Sequence, residues 1–230
     1  MMKKIATLFD ELEKTPEGPF FNPWFDRDTQ HDKSTNAPQI RRNQLRAYLT
    51  ERASTANYLF IAEALGYQGG HFSGIAMTSE RILLGHHQSV HGIPAEGTFC
   101  SVERQRTSRP QLNSKGMTEP TATIMWKALK NLGVDPYEVV LWNALAWHPY
   151  NPEEGMLSNR TPTDTELEMG FPALRAFLDL FPDCRIIAVG RKCEHVLDNF
   201  GTEYTPVRHP ANGGAPKFRR QIREIINGKC

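Results

Sequence analysis

The apolar positions of this chain fall into two periods. Tyr58-Leu59-Phe60-Ile61-Ala62, Val139-Val140-Leu141-Trp142 and Arg185-Ile186-Ile187-Ala188-Val189 are short apolar runs, the form expected of strands buried on both faces of a parallel sheet. Elsewhere apolar residues recur at helical spacing: Ile5, Leu8, Phe9 and Leu12; Ile40, Leu45, Tyr48 and Leu49; Ile124, Met125, Ala128, Leu129 and Leu132; Leu167, Phe171, Leu174, Phe177 and Leu178. Thr35 or Asn36 can cap the second of these helices, which runs to about Arg52, and Thr163 or Asp164 the fourth. The third spans Glu119 to Leu132, with Gly133 just past its end. Another helix runs from Arg191 to about Asn199, a short strand covers Tyr204 to Val207, and a last helix closes near Asn227. Strands alternating with helices predict an α/β fold, a three-layer α/β/α sandwich around a central, about four-stranded parallel sheet. The whole of 1–230 reads as one domain, with 1–56 a helical and aromatic lead-in and 57–230 the α/β core.

The strand ends carry the candidate chemistry. The first strand should stop near Glu63, and the next residues, Gly66-Tyr67 and then Gly69, Gly70 and Gly74, are too glycine-rich for helix or strand. They suit a loop whose backbone approaches a ligand, with Glu63 and Phe72 set into it, although glycines in a loop also make plain surface turns. Val139–Trp142 runs into Asn143, and the fourth strand into Arg208-His209-Pro210. Polar groups at three strand ends imply one shared crevice at the carboxyl edge of the sheet.

Composition narrows the function classes little. Lys plus Arg total 27 against 26 Asp plus Glu, so there is no overall pull toward nucleic acid, and any such face must be local. Arg41, Arg42 and Arg46, then Arg104, Arg106 and Arg109, then Lys217, Arg219, Arg220 and Arg223 could supply one, or be solvated faces. Cys100, Cys184, Cys193 and Cys230 form no CxxC pair, which fits reduced thiols in the cytoplasm. No apolar run approaches a membrane span. His87 and His91 have i, i+4 spacing but no carboxylate beside them, so no metal site is expected. His148 reads as a loop residue near the crevice. The stretch from Gly85 to Thr118 loses periodicity, and its arginines could track phosphates or face solvent.

Side by side, these segments resemble the uracil-DNA glycosylase superfamily. AEALGYQGGHFSG is similar to its first motif, LWN to the strand ending in Asn, SNRTPTDTEL to its Asn-Arg-x-Pro-Thr segment, IIAVGRK to the strand and glycine that follow, and RHPANGG to its final His-Pro motif. The resemblance implies that a damaged nucleotide is flipped into a pocket, at a cost of a few kcal/mol. It implies that Phe72 stacks on the uracil ring, that Gly66 and Tyr67 border it, that Asn143 reads its edge and that His209 stabilises the departing base. Glu63 or His71 would position the water. Arg160, Arg191, Arg208, Asn212, Gly213 and Lys217 would face the DNA. The implied partner is DNA containing uracil or another damaged base, with the protein acting as a soluble, cytoplasmic monomer that uses no cofactor.

The sequence departs from the family pattern in three places. Where one branch carries an Asp in the first motif, this chain has Ala64. The iron–sulfur branch places cysteines near the amino terminus and again shortly after the second strand and the Asn-Arg segment, but no cysteine precedes Cys100, and Trp147 and roughly Gly170 stand at the later positions. Four thiolates are therefore not available and no cluster is expected. The loop after His209 has no bulky apolar residue to wedge into a duplex, so single-stranded or damaged DNA would be the easier substrate. Two other readings stay open: a member that binds nucleic acid or a modified base without catalysis, and an enzyme for another base or for a nucleotide.

Overall fold

A computed structural model describes residues 1–228; Cys230 lies outside them. The elements in chain order are α1 (Met2–Glu13), β1 (Phe20–Phe21), α2 (Ala37–Arg52), β2 (Tyr58–Ala64), α3 (Gly70–Ser73), α4 (Glu80–Leu83), α5 (Gln88–His91), α6 (Pro120–Asn131), β3 (Val139–Leu145), β4 (His148–Pro149), α7 (Asp164–Met169), α8 (Phe171–Leu178), β5 (Arg185–Val189), α9 (Arg191–Phe200), β6 (Thr205–Val207) and α10 (Ala215–Ile226).

Four strands form one parallel sheet in the order β3-β2-β5-β6. Side chains alternate across it, as period 2 demands. Leu59, Ile61, Val140, Trp142 and Ala188 pack on one face with α1, α2, α8 and α9, while Phe60, Leu141, Ile187 and Val207 pack on the other with α6 and α10. This is the expected α/β/α sandwich. Trp142 lies flat on Phe177, with ring centroids 4.4 Å apart, which sets α8 against the sheet. The chain winds outward from the middle of the sheet, to β3 on one side of β2 and to β5 and β6 on the other. Such sheets hold ligands outside the carboxyl ends of their strands.

Several local expectations need correction. β3 continues past Trp142 to Leu145, so Asn143 is paired inside the strand, opposite Ala62. The helix expected after Thr163 is two helices, because Pro172 has no backbone N–H to carry the ladder past Gly170; Gly170 packs so closely on the sheet that a Cβ there would lie 2.8 Å from the Ala144 carbonyl oxygen. Thr163 does cap the first of them, in a reciprocal capping box with Glu166. Asn36 stands at the start of α2, but its side chain makes no capping bond. β1 and β4 form a small antiparallel pair that the sequence pattern did not suggest.

Lys217, Arg219, Arg220 and Arg223 are exposed, as a solvated face would be, but other arginines are not. Arg41 is fully buried and pairs with Asp32, Nη1 to Oδ1 at 2.7 Å. Arg52 is equally buried and donates to the carbonyls of Tyr48, Gly97, Thr98, Pro136 and Val139. In the irregular stretch, Arg104, Arg106 and Arg109 donate to the carbonyls of Phe99, Ser108, Ser114, Asp32 and Thr29. These guanidinium groups serve as internal cross-links, which a chain with few regular backbone ladders in this region requires. Among the described residues, no helix is long and apolar enough to cross a membrane.

Candidate active site

A cavity of about 300 Å³ opens at the carboxyl end of the sheet, walled by the end of β2 (Ala62 to Gly66), Asn143, Met77, Glu119, Thr121, the loop Asn159–Thr161 and His209. The groups differ in depth. The Asn143 residue is 2% exposed and its Oδ1 is buried without a hydrogen-bond partner. The Oε2 of Glu119 is likewise sealed and unpartnered, although the residue as a whole is only part-buried. Glu63 and His209 lie nearer the rim. The Glu63 side chain is 30% exposed and its Oε1 stands 3.9 Å from Lys192 Nζ. Burial raises the Glu63 pKa, and the Lys192 charge opposes that rise.

His209 is held by its own loop. The Ala211 backbone N–H donates to its Nδ1 at 3.1 Å, so the neutral ring carries its proton on Nε2 and presents a donor. Burial and the neighbouring Arg208 charge lower its pKa, which keeps the ring neutral at pH 7. Gly190, at φ +94°, makes the approach possible, since a Cβ there would sit 3.0 Å from the His209 Cβ.

Phe72 does not line this cavity. It is wholly buried on the one-turn helix α3, tilted against His71 with ring centroids 4.3 Å apart. The apolar lining is Ala62, Ala64, Leu65, Pro149 and Met77; the Met77 φ is +46°, a conformation uncommon outside glycine, Asn and Asp. His71 also stands apart from the cavity. Its Nε2 faces Asp28 Oδ2 at 3.2 Å, its Nδ1 meets His148 Nδ1 at 3.0 Å, and His148 Nε2 donates to the Ser158 carbonyl at 2.7 Å. His148 is therefore a buried residue of β4 and not a loop residue. Gly66 borders the cavity, while Tyr67 meets the site through its backbone N–H, which donates to Asn159 Oδ1.

The buried imidazoles make a testable contribution to stability. Burial lowers the pKa of both rings, an effect that the Asp28 carboxylate opposes at His71 and that brings His148 to about 4. An unfolded ring takes up its proton near 6.5, so the stabilisation from His148 is complete above that pH and is lost as pH falls toward the folded value. Between pH 6.5 and 5 the loss should be on the order of 1.5 kcal/mol. Urea unfolding midpoints at pH 7 and pH 5 measure it; equal midpoints would mean the ring is not held neutral.

The residues expected to face DNA separate into two groups. Arg191, Arg208 and Lys217 line one cleft beside Gly190, with Asn212 and Gly213 exposed on the adjacent loop. Arg160 borders the main cavity, but it is bound in a fork to Glu166 at 2.7 and 2.8 Å and lies over the Phe20 ring. Met77 and Glu119 were not legible as site residues. Met77 lies beyond the glycine loop, and Glu119 has the sequence context of an ordinary helix start.

A family model of the Uracil DNA glycosylase superfamily matches residues 51–226. The chain belongs to this superfamily. Comparison with curated proteins gives no match. Within the superfamily fold, an iron–sulfur cluster does not fit this chain. Trp147 is buried with its Nε1–H donated to the Leu12 carbonyl, and Gly170 has no room for a side chain. His87 and His91 stack at 4.9 Å, and among the described residues no group of three His, Cys, Asp or Glu is arranged to hold a metal ion.

Proposed function

We propose that this superfamily member is a DNA glycosylase that hydrolyses the N-glycosidic bond of uracil, or of a related deaminated base, in DNA. The observation that carries the reading is the unpartnered, buried Oδ1 of Asn143 in a cavity that His209 and Glu63 also line. A buried polar atom without a partner costs about 1–3 kcal/mol, and a bound base would satisfy it. The Asn143 amide offers one acceptor and two donors, which match the N3–H and O4 of uracil and mismatch cytosine at the same edge. Met77 would rest against the base face in the place expected of Phe72.

As the bond from C1′ to the base breaks, its electron pair leaves with the base and the sugar gains cation character. The His209 Nε2–H would donate to the developing oxyanion, a contact worth most in a site that excludes water. Glu63, ionised at the rim, would take the proton of the water that adds to C1′. Arg191, Arg208 and Lys217, with the backbone of Asn212 and Gly213, would hold the flanking phosphates. The protein would act in the cytoplasm as a monomer and, because hydrolysis of this bond uses water and protein groups, without metal or organic cofactor.

The test is release of uracil from single-stranded, U:G and U:A oligonucleotides in chelator, read as alkali-labile cleavage. Wild-type protein should cleave, and Asn143→Ala should lower kcat/KM by about tenfold or more, the loss of one bidentate base contact. Binding of these oligonucleotides without cleavage would favour a non-catalytic binding protein, a reading to which Ala64 lends support.

A further inference from the structure

Two carboxyl groups border the cavity, and the proposed hydrolysis uses only Glu63. We propose that Glu119 is a second base-reading residue in the cavity that Asn143 also lines, and that its carboxyl hydrogen-bonds an acceptor atom of the flipped base. The inference rests on the glycosylase reading and extends it to the selection of the base.

Three features of the structure carry it. First, the group is deep. Its Oε2 is sealed from solvent and unpartnered, as is the Oδ1 of Asn143, whereas Glu63 is partly exposed at the rim. In a base-flipping pocket the depth meets the base and the rim meets the sugar and water. Second, the carboxyl is not used by the helix it precedes: Glu119 stands at the N-cap position of α6, its side chain makes no capping bond, and glutamate is not among the residues that favour that position. Third, the glycine loop makes room for it: a Cβ on Gly69 would overlap the Glu119 carboxyl. α6 itself is fixed by Trp126, two turns further along, whose indole N–H donates to the Met77 carbonyl and to Thr78. Glu119 and the Met77 wall are thereby set by one rigid element.

The chemistry requires the neutral acid. A departing base carries negative charge, and an ionised carboxylate beside it would oppose the reaction, whereas a protonated carboxyl donates a hydrogen bond to it. Burial pushes the Glu119 pKa up to about 7. The other titratable groups of the cavity are Glu63, Arg160 and His209. Of these, Glu63 faces Lys192 and Arg160 is committed to Glu166. His87 reaches the neighbouring Thr118 at 3.3 Å, and the Glu80 carboxylate accepts from Thr107, Ser108 and Met117. A base that presents a carbonyl oxygen or a bare ring nitrogen to Glu119 is accepted; one that presents only an amino group meets a donor with another donor.

The experiment measures binding and turnover together. Single-stranded oligonucleotides carrying one uracil or, at the same position, one cytosine, which presents an amino group where uracil has O4, are titrated against wild type, Glu119→Gln and Glu119→Leu at pH 6 and pH 8, with uracil release followed on the same samples. Wild type should prefer uracil, and its kcat/KM should fall as pH rises through about 7. Glu119→Gln keeps a donor and cannot ionise, so it should remain within about tenfold of wild type at pH 6 and lose that alkaline limb. Glu119→Leu should lose roughly ten- to hundredfold in uracil preference at pH 6, one buried hydrogen bond to the base. Thermal unfolding of both variants checks that they are folded; an unpartnered buried carboxyl predicts that neither is less stable than wild type. An unchanged uracil preference in Glu119→Leu, or an alkaline limb that survives in Glu119→Gln, overturns the inference while leaving the glycosylase reading intact. A wild type with neither uracil preference nor uracil release overturns both.

Discussion

Replacement of His209 by alanine should lower kcat for uracil release by about 10² to 10³, the usual loss when one preorganised donor to a developing oxyanion is removed. KM should change much less, because the ground-state base makes a weaker demand on that donor than the departing anion does. The ring is prepared for the role by its surroundings. The Ala211 N–H occupies Nδ1, and burial with Arg208 keeps the imidazole neutral, so the proton sits on Nε2. The loop itself should survive, since its backbone bonds, such as Gly214 N–H to the Ala211 carbonyl, do not involve the ring. Single-turnover cleavage by folded His209→Ala decides the matter; a rate within a factor of about three of wild type would remove His209 from the mechanism.

Asp32→Ala should destabilise the fold by about 3–5 kcal/mol, the cost of leaving one member of a buried ion pair uncompensated. Arg41 has no route to solvent. Its guanidinium is held by both Asp32 oxygens, at 2.7 and 3.1 Å, by Thr107 and by the carbonyls of Pro23 and Asp26. Asp32 also accepts the Asp28 backbone N–H at 2.9 Å, next to the carboxylate that faces His71. The pair therefore joins the lead-in, α2 and the irregular stretch behind the glycine loop, where a Cβ on Gly74 would lie 2.8 Å from the Arg41 Cβ. Urea denaturation should show a lower midpoint at unchanged slope. A midpoint shift worth less than about 1 kcal/mol would mean that Arg41 finds water or another partner when Asp32 is lost.

The parts of the fold that were legible in the sequence depend on local pattern. The continuous apolar runs at Tyr58, Val139 and Arg185 became adjacent parallel strands, and the stripe Ile5, Leu8, Phe9 and Leu12 became the buried face of α1. Capping by Thr163 and termination near Gly133 were read from residue types that act within a few positions of themselves. The order of motifs along the chain was enough to suggest the superfamily, because that order is itself a property of sequence.

What escaped the sequence involves partners far apart in the chain. Arg41 looks like a member of an exposed basic face, and Arg52 like the plain end of a helix, until tertiary contacts supply a carboxylate to one and five carbonyls to the other. Phe72 and Met77 are both apolar and both follow the glycine loop, so periodicity cannot say which reaches the cavity. Packing decides it, burying Phe72 against His71 and placing Met77 on the wall. The same holds for the two histidines of the buried network and for Glu119, which reads as an ordinary residue at a helix start and whose carboxyl packs against Gly69 at the cavity. The layers, the strands and the polar residues at their ends follow from hydrophobic period and turn chemistry, and so are written in the order of residues. Which side chains share the cavity, and which are charged or neutral there, depends on burial and hydrogen-bond partners that arise between segments distant along the chain.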